Sequence, residues 1–175
     1  MNQNEKRLWI SKLISENSDT VYSLCLSLTY SREDADDLFQ ETFLKIYENI
    51  SKFQESDNEK QFVLSQTVFI WKSWKRKYAR RQRLAPIVSV EEANELPDEI
   101  CIDEVVINND QSKNVQSIVA KLNEKLRITV ILYYSLQMDI AEISNILKIP
   151  EGTVKSRLYK ARNTIREELE GQENE

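Results

Sequence analysis

The sequence predicts an all-α protein, on three observations. Only two glycines and three prolines occur in 175 residues, so little of the chain needs a left-handed backbone or a rigid turn. Charged residues make up 30% of the chain, interleaved with apolar residues that recur at spacings of three and four. Pro86 and Pro97 fall in one acidic stretch, which divides the helical pattern into two blocks. The expected architecture is two small helical domains joined by a flexible acidic linker: residues 1–84, the linker 85–111, and residues 112–175 with a helix-turn-helix.

Residues 5–30 read as a first helix, with apolar positions at Leu8, Trp9, Leu13, Val21, Leu24, Cys25 and Leu28. Ser31 begins a second. Asp34 stands three residues on at capping-box spacing, and Glu33, Asp34 and Asp36 suit the positive end of a helix dipole. Along it Ala35, Leu38, Phe39, Phe43, Ile46 and Ile50 form the core stripe, leaving Asp37, Gln40, Glu41 and Glu48 for water or a partner. A third helix runs from about Phe62, with Val63, Thr67, Ile70 and Trp74 as its buried stripe and Trp71, Lys75 and Tyr78 on a neighbouring face.

The second block starts with a helix ending near Leu136. Asp139 and Glu142 repeat the capping-box spacing ahead of a short helix through Leu147. Lys148 and Ile149 make a turn, and Pro150 suits the first position of the last helix, where its missing N–H costs nothing. There Val154, Leu158, Ala161, Ile165 and Leu169 share one face, and Lys155, Ser156, Tyr159 and Lys160 lie opposite. Short helix, tight turn and basic second helix describe a helix-turn-helix.

Composition removes most enzyme classes. With no histidine there is no imidazole-activated nucleophile and no His-containing zinc or haem site. Gly152 and Gly171 are too few for a Gly-rich phosphate loop. Cys25 and Cys101 have no paired spacing, and Cys25 reads as a small buried apolar residue. Asp34, Asp36 and Asp37 are the one tight carboxylate cluster, better explained by the helix start than by metal-assisted chemistry. No catalytic activity, cofactor or metal is expected. The charged N-terminal stretch is no signal peptide and no apolar run spans a membrane, so the expectation is a soluble, cytoplasmic protein.

The net charge of −5 hides a segregated pattern. Lys60 to Val90 holds no acid but has Lys72, Lys75, Arg76, Lys77, Arg80, Arg81 and Arg83. Leu84 to Ser112 holds no Lys or Arg and eight acids. From Thr153 to Arg166 the chain is basic again. Two basic modules on an acidic tether suit nucleic acid touched at two places. The third helix also mixes Phe69, Trp71, Trp74 and Tyr78 with its cations. Unpaired bases stack on rings while cations hold phosphates, which points to single-stranded nucleic acid. On the last helix, Lys155, Ser156, Tyr159 and Lys160 would face a major groove, with Thr153 and the arginines on phosphates.

The segments DADDLFQETFLKIYENISKF (34–53) and IPEGTVKSRLYKARNTIREEL (149–169), in this order, resemble the alternative sigma factors of bacterial RNA polymerase, of the extracytoplasmic-function (ECF) group. The resemblance covers nearly the whole chain outside the linker. It implies a dissociable initiation subunit that binds core RNA polymerase and promoter DNA and is held by an anti-sigma factor. By position, Asp37, Gln40, Glu41 and Phe43 match the helix that docks on the clamp of the largest polymerase subunit. Trp71, Lys72, Lys75, Arg76, Lys77, Tyr78, Arg80 and Arg81 match the part that opens and holds the −10 element, helped by the loop 54–61. Gly152, Thr153, Lys155, Ser156, Arg157, Tyr159 and Lys160 match the −35-reading surface. Where the family usually has glycine in the helix-turn-helix turn this chain has Lys148, so either Lys148 takes φ > 0 or the turn differs. The alternative is a stand-alone helix-turn-helix regulator whose N-terminal helices bind a ligand or dimerise.

Overall fold

The computed structural model describes residues 2–50, 58–84 and 110–172, and among them every regular element is helical. They fall into two compact units, one within residues 1–101 and one within 102–175. The acidic stretch 85–109 with Cys101, and residues 54–57 of the expected loop, lie outside the described residues.

In the first unit α1 spans Gln3–Thr29, α2 Arg32–Glu48 and α3 Glu59–Leu84. Helix α1 starts two residues before the expected position because Asn2 and Glu5 form a capping box. The Asn2 side chain accepts from the Glu5 N–H at 2.9 Å, and the Asn2 N–H donates to the Glu5 carboxylate at 2.7 Å. It ends at Tyr30, in the left-handed region at φ 57°, whose N–H donates to the Leu26 carbonyl. Ser31 follows at once and caps α2 by accepting from the Asp34 N–H at 3.3 Å. Two linking residues between long helices force an antiparallel pair, and α3 packs against both. Asn58 sets the start of α3: its side chain accepts from the Gln61 N–H at 3.1 Å, earlier than the expected Phe62.

Leu13, Val21, Leu24, Cys25 and Leu28 of α1 meet Ala35, Leu38, Phe43, Ile46 and Ile50 and, from α3, Val63, Leu64, Thr67, Val68, Ile70 and Trp71. Burial pushes the Cys25 thiol up to about 12, so it is an apolar filler without thiolate reactivity at neutral pH. Leu8 is 73% exposed, so the core stripe of α1 begins later than its apolar pattern suggested.

In the second unit α4 spans Asp110–Lys121 and α5 Glu124–Val130, continuing as a π-helical turn over Ile131–Ser135. Helix α6 spans Ile140–Leu147 and α7 Glu151–Gln172. The last two residues of the expected linker, Asp110 and Gln111, thus already belong to α4. The break before α5 comes from Asn123, whose side chain accepts from the Lys125 N–H at 2.9 Å. Asp139 and Glu142 form the expected capping box, with both bonds made at 2.8 and 3.0 Å. Leu122, Val130 and Ala161 form a core against which Val119, Leu126 and Ile165 pack. No helix among the described residues is long and apolar enough to cross a membrane.

Candidate nucleic-acid and partner surfaces

The helix-turn-helix is built by two backbone decisions. Lys148 ends α6 in the left-handed region, at φ 55° and ψ 47°, with its N–H donating to the Ser144 carbonyl. The Ser144 hydroxyl reaches across the turn to donate to the Ile149 carbonyl at 2.6 Å. Pro150 then serves α7 from one position earlier than expected. Its carbonyl accepts from the Thr153 and Val154 N–H groups at 2.9 and 3.2 Å, the role of an N-cap backbone.

Val154, Leu158 and Ala161 turn inward, while Ile165 and Leu169 are only half-buried. On the other side Lys155, Ser156, Tyr159 and Lys160 are exposed, with Tyr159 at 66%, and Thr153 and Arg157 flank them half-buried. Gly152 is exposed in the first turn, and a Cβ built there meets no atom within 4 Å. The fold makes no demand for glycine at that place. The missing side chain leaves backbone open to whatever approaches the start of α7.

On α2, Asp37 and Gln40 are exposed. Glu41 is half-buried, because its carboxylate accepts the indole N–H of Trp74 at 2.7 Å. Phe43, the fourth residue of the expected docking set, lies beneath this face. At 6% exposure it is a core residue, its ring edge-to-face on Phe39 at 4.9 Å. The apolar residue available on that side is Leu44, 55% exposed. Seven residues after Asp37 and three after Glu41, it lies on their face of the helix. Its signal was present: Leu44 stands off the core stripe, the one large apolar residue among polar neighbours. Asp36 accepts from the Tyr22 hydroxyl at 2.8 Å, which raises the Tyr22 pKa and gives this carboxylate a structural role.

On α3 the aromatics divide otherwise than expected. Trp71 is 3% exposed and belongs to the core, so of the two rings off the predicted stripe, at least one of which was expected to be exposed, Tyr78 is the exposed one. Because α3 packs on both α1 and α2, its buried arc is wide enough to take the face next to the predicted stripe. Trp74, expected in the core, is half-buried at the rim with its N–H on Glu41. Tyr78 is 55% exposed, as expected, and Phe69 is 60% exposed. Nine residues apart, Phe69 and Tyr78 leave opposite sides of α3, Phe69 on the side of Arg76 and Arg80. Lys75, Arg76, Lys77, Arg80 and Arg81 are exposed and Lys72 is half-buried. The Lys75 ammonium lies 6.0 Å from the Trp71 ring centre, so the buried indole still helps to fix a surface cation.

Comparison with known proteins places both units. A model of sigma-70 region 2 matches residues 13–82, and a model of sigma-70 region 4 matches residues 112–165. The ECF RNA polymerase sigma factor SigW of Bacillus subtilis is 27% identical over 156 residues, covering 86% of this chain and 83% of the relative. SigM of the same organism is 24% identical, covering 90% of this chain and 93% of the relative. Among solved structures, the sigma factor RpoE of Bartonella quintana, crystallised with the anti-sigma factor NepR, superposes with a TM-score of 0.73. It is 21% identical, covering 91% of this chain and 96% of that one. CnrH, solved with the cytosolic domain of CnrY, superposes with a TM-score of 0.65 at 16% identity, covering 93% of this chain and 88% of that one. At these identities the structural likeness concerns the fold.

Proposed function

Since the chain belongs to the sigma-70 family, in its extracytoplasmic-function group, we propose that its three surfaces divide the work of promoter-specific initiation between them. As a sigma factor the chain binds core RNA polymerase and directs initiation at particular promoters; sigma factors are regulatory DNA-binding proteins. We assign it no catalysis of its own and place it in the cytoplasm, where polymerase and promoter meet.

Asp37, Gln40 and Glu41, with Leu44 among them, form the docking face for the polymerase clamp. Exposed acids give orientation and encounter rate, and an apolar residue between them gives area from which water is excluded. Phe43 supports this face from below by fixing the packing of α2. Lys75, Arg76, Lys77, Arg80 and Arg81, with Lys72 at their edge, hold the phosphates of the −10 strand, and Tyr78 supplies a ring for an unpaired base. Trp71 contributes by packing. Lys155, Ser156, Tyr159 and Lys160 meet base edges and phosphates of the −35 element, flanked by Thr153 and Arg157, and Gly152 permits close backbone approach. An anti-sigma factor is a further partner we propose, since the RpoE relative was crystallised with one.

The observation that carries this assignment is the polar face of α7, exposed on a helix whose other face is buried behind a helix-turn-helix turn. Run-off transcription tests it, using duplexes selected from a random pool by holoenzyme reconstituted from core polymerase and this chain. Transcripts that require both components are expected. A chain that binds those duplexes equally well without polymerase, and adds no transcript to core enzyme, would instead be a stand-alone helix-turn-helix regulator.

A further inference from the structure

One cation of α7 differs from its neighbours. The side chains of Lys155, Lys160 and Arg166 are exposed and make no hydrogen bond or ion pair among the described residues. Arg162 is exposed as well, yet it is held. Its Nε donates to the Tyr134 hydroxyl at 2.7 Å, and its guanidinium carbon lies 5.8 Å from the ring centres of both Tyr133 and Tyr134. The two rings meet edge to face at 4.9 Å and stand on the π-helical turn Ile131–Ser135. Successive residues of an α-helix point about 100° apart, but here two neighbours serve one guanidinium.

The choice of partner matters. A carboxylate would also fix the guanidinium, but it would cancel the charge. A phenol hydroxyl accepts the Nε–H and leaves the cation whole, and the bond raises the Arg162 pKa further. Even with a further, weaker hydrogen bond to Tyr133, the outer Nη groups keep N–H donors to spare for phosphate oxygens. Position fits the same use. Arg162 follows Lys155 by seven residues and Tyr159 by three, so it continues their face about 10 Å farther along the helix. With the start of α7 in a major groove about 12 Å wide, that distance reaches the phosphates at its edge.

We propose that Tyr134 is a positioning residue for promoter binding, its hydroxyl and the paired rings holding Arg162 as a preset phosphate clamp beside the −35-reading face. Ordering the long side chain before DNA arrives removes an entropy cost from the binding step. The proposal rests on the assignment of α7 to DNA, and its test separates the two.

Reconstituted holoenzyme is titrated, over a range of KCl, with a duplex it selects and with a random-sequence duplex. Arg162→Ala is expected to weaken both about tenfold and to lower the salt slope by about one. Tyr134→Phe keeps the ring and removes only the acceptor. It is expected to weaken both duplexes about threefold, with an unchanged thermal unfolding midpoint, and to have no further effect when Arg162 is already alanine. Losses that multiply in the double variant would overturn the coupling, and a loss confined to the selected duplex would overturn the phosphate role. If Lys155→Ala and Lys160→Ala weaken binding while Arg162→Ala does not, α7 still reads DNA and the clamp is wrong. If none of these changes affects binding, the assignment of α7 itself fails, and the clamp with it.

Discussion

Helices α3 and α7 are both basic and both carry aromatics, yet only α7 arranges them as a simple two-sided pattern implies. Over its first three turns α7 buries about one residue per turn, Val154, Leu158 and Ala161, and of the residues between them only Arg157 is half-buried, the rest being exposed. Helix α3 buries two per turn, in the pairs Val63 and Leu64, Thr67 and Val68, and Ile70 and Trp71, because α1 and α2 both lean on it. A narrow buried arc lets the face of each residue be read from spacing alone. A wide one takes in whatever stands next to the stripe, a tryptophan included. Where α3 runs past its neighbours the arc closes, and Tyr78 is exposed although it follows Trp71 by the same seven residues that keep a helical face.

Trp71 provides the largest effect by which this contrast can be broken. Trp71→Ala should destabilise the protein by about 3–5 kcal/mol, the cost of emptying a large buried site. In thermal unfolding that is a fall of well over 10 °C for a unit of this size. A premelted −10 template should not restore transcription at temperatures where the variant is unfolded. A variant that melts like the parent yet fails only at promoter opening would return Trp71 to the DNA surface.

Tyr78 and Phe69 sharpen the same point. Replacing the residue that stacks on an unpaired base should cost about 1–3 kcal/mol in open-complex stability, with little change in unfolding. Because the two rings leave opposite sides of α3, only one side can follow the strand, and Tyr78→Ala is expected to be the damaging change. Equal defects for Phe69→Ala would mean that the strand wraps the helix. A premelted template should rescue the Tyr78 variant.

The link between α2 and α3 is of intermediate strength. Trp74→Phe removes the N–H that Glu41 accepts and leaves that carboxylate half-buried without it, a loss of about 1–2 kcal/mol. Glu41→Gln should cost less, since its amide oxygen still accepts. In a double-mutant cycle the two changes should be clearly non-additive. Additivity within a few tenths of a kcal/mol would mean that the bond carries no stability. A charge reversal at Glu41 disturbs α3 as well as the docking face, so Asp37→Lys is the cleaner probe of polymerase affinity.

Much of this was legible in the sequence because it was local. The Ser31 cap, the Asp139 and Glu142 box, and the polar face of α7 each depend on residues within a turn or two. What escaped was decided at a distance. Trp74 pairs with Glu41 across 33 positions, and Arg162 with Tyr134 across 28. Phe43 was rightly placed on the core stripe, and the docking role that the family pattern lends it would act through the packing of α2. The Asn2 and Asn58 caps were missed although their spacing is the same local signal, because no apolar pattern drew attention to the residues before them.

Gly152 and Lys148 give the smallest effects and test the turn of the helix-turn-helix from both sides. Gly152→Ala should stabilise α7 by about 0.5–1 kcal/mol, since helix favours alanine and nothing lies within 4 Å of the added carbon. It should nonetheless weaken duplex binding if the open backbone there admits DNA, and tighter or equal binding would show that it does not. Lys148 is the opposite case, a side chain where the backbone favours none. Its left-handed conformation at φ 55° costs a non-glycine residue about 1 kcal/mol. Lys148→Gly removes that strain but gives the unfolded chain more freedom, which offsets about half of it. The net expectation is a gain of about 0.5 kcal/mol, an unfolding midpoint higher by a few degrees. The turn geometry already suits the lysine, as the Lys148 N–H on the Ser144 carbonyl attests, so the gain should come without a change in duplex affinity. A loss of stability would mean that the Lys148 side chain contributes more to this turn than its backbone strain takes away. A change in affinity at constant stability would make the cation at the turn a further phosphate contact.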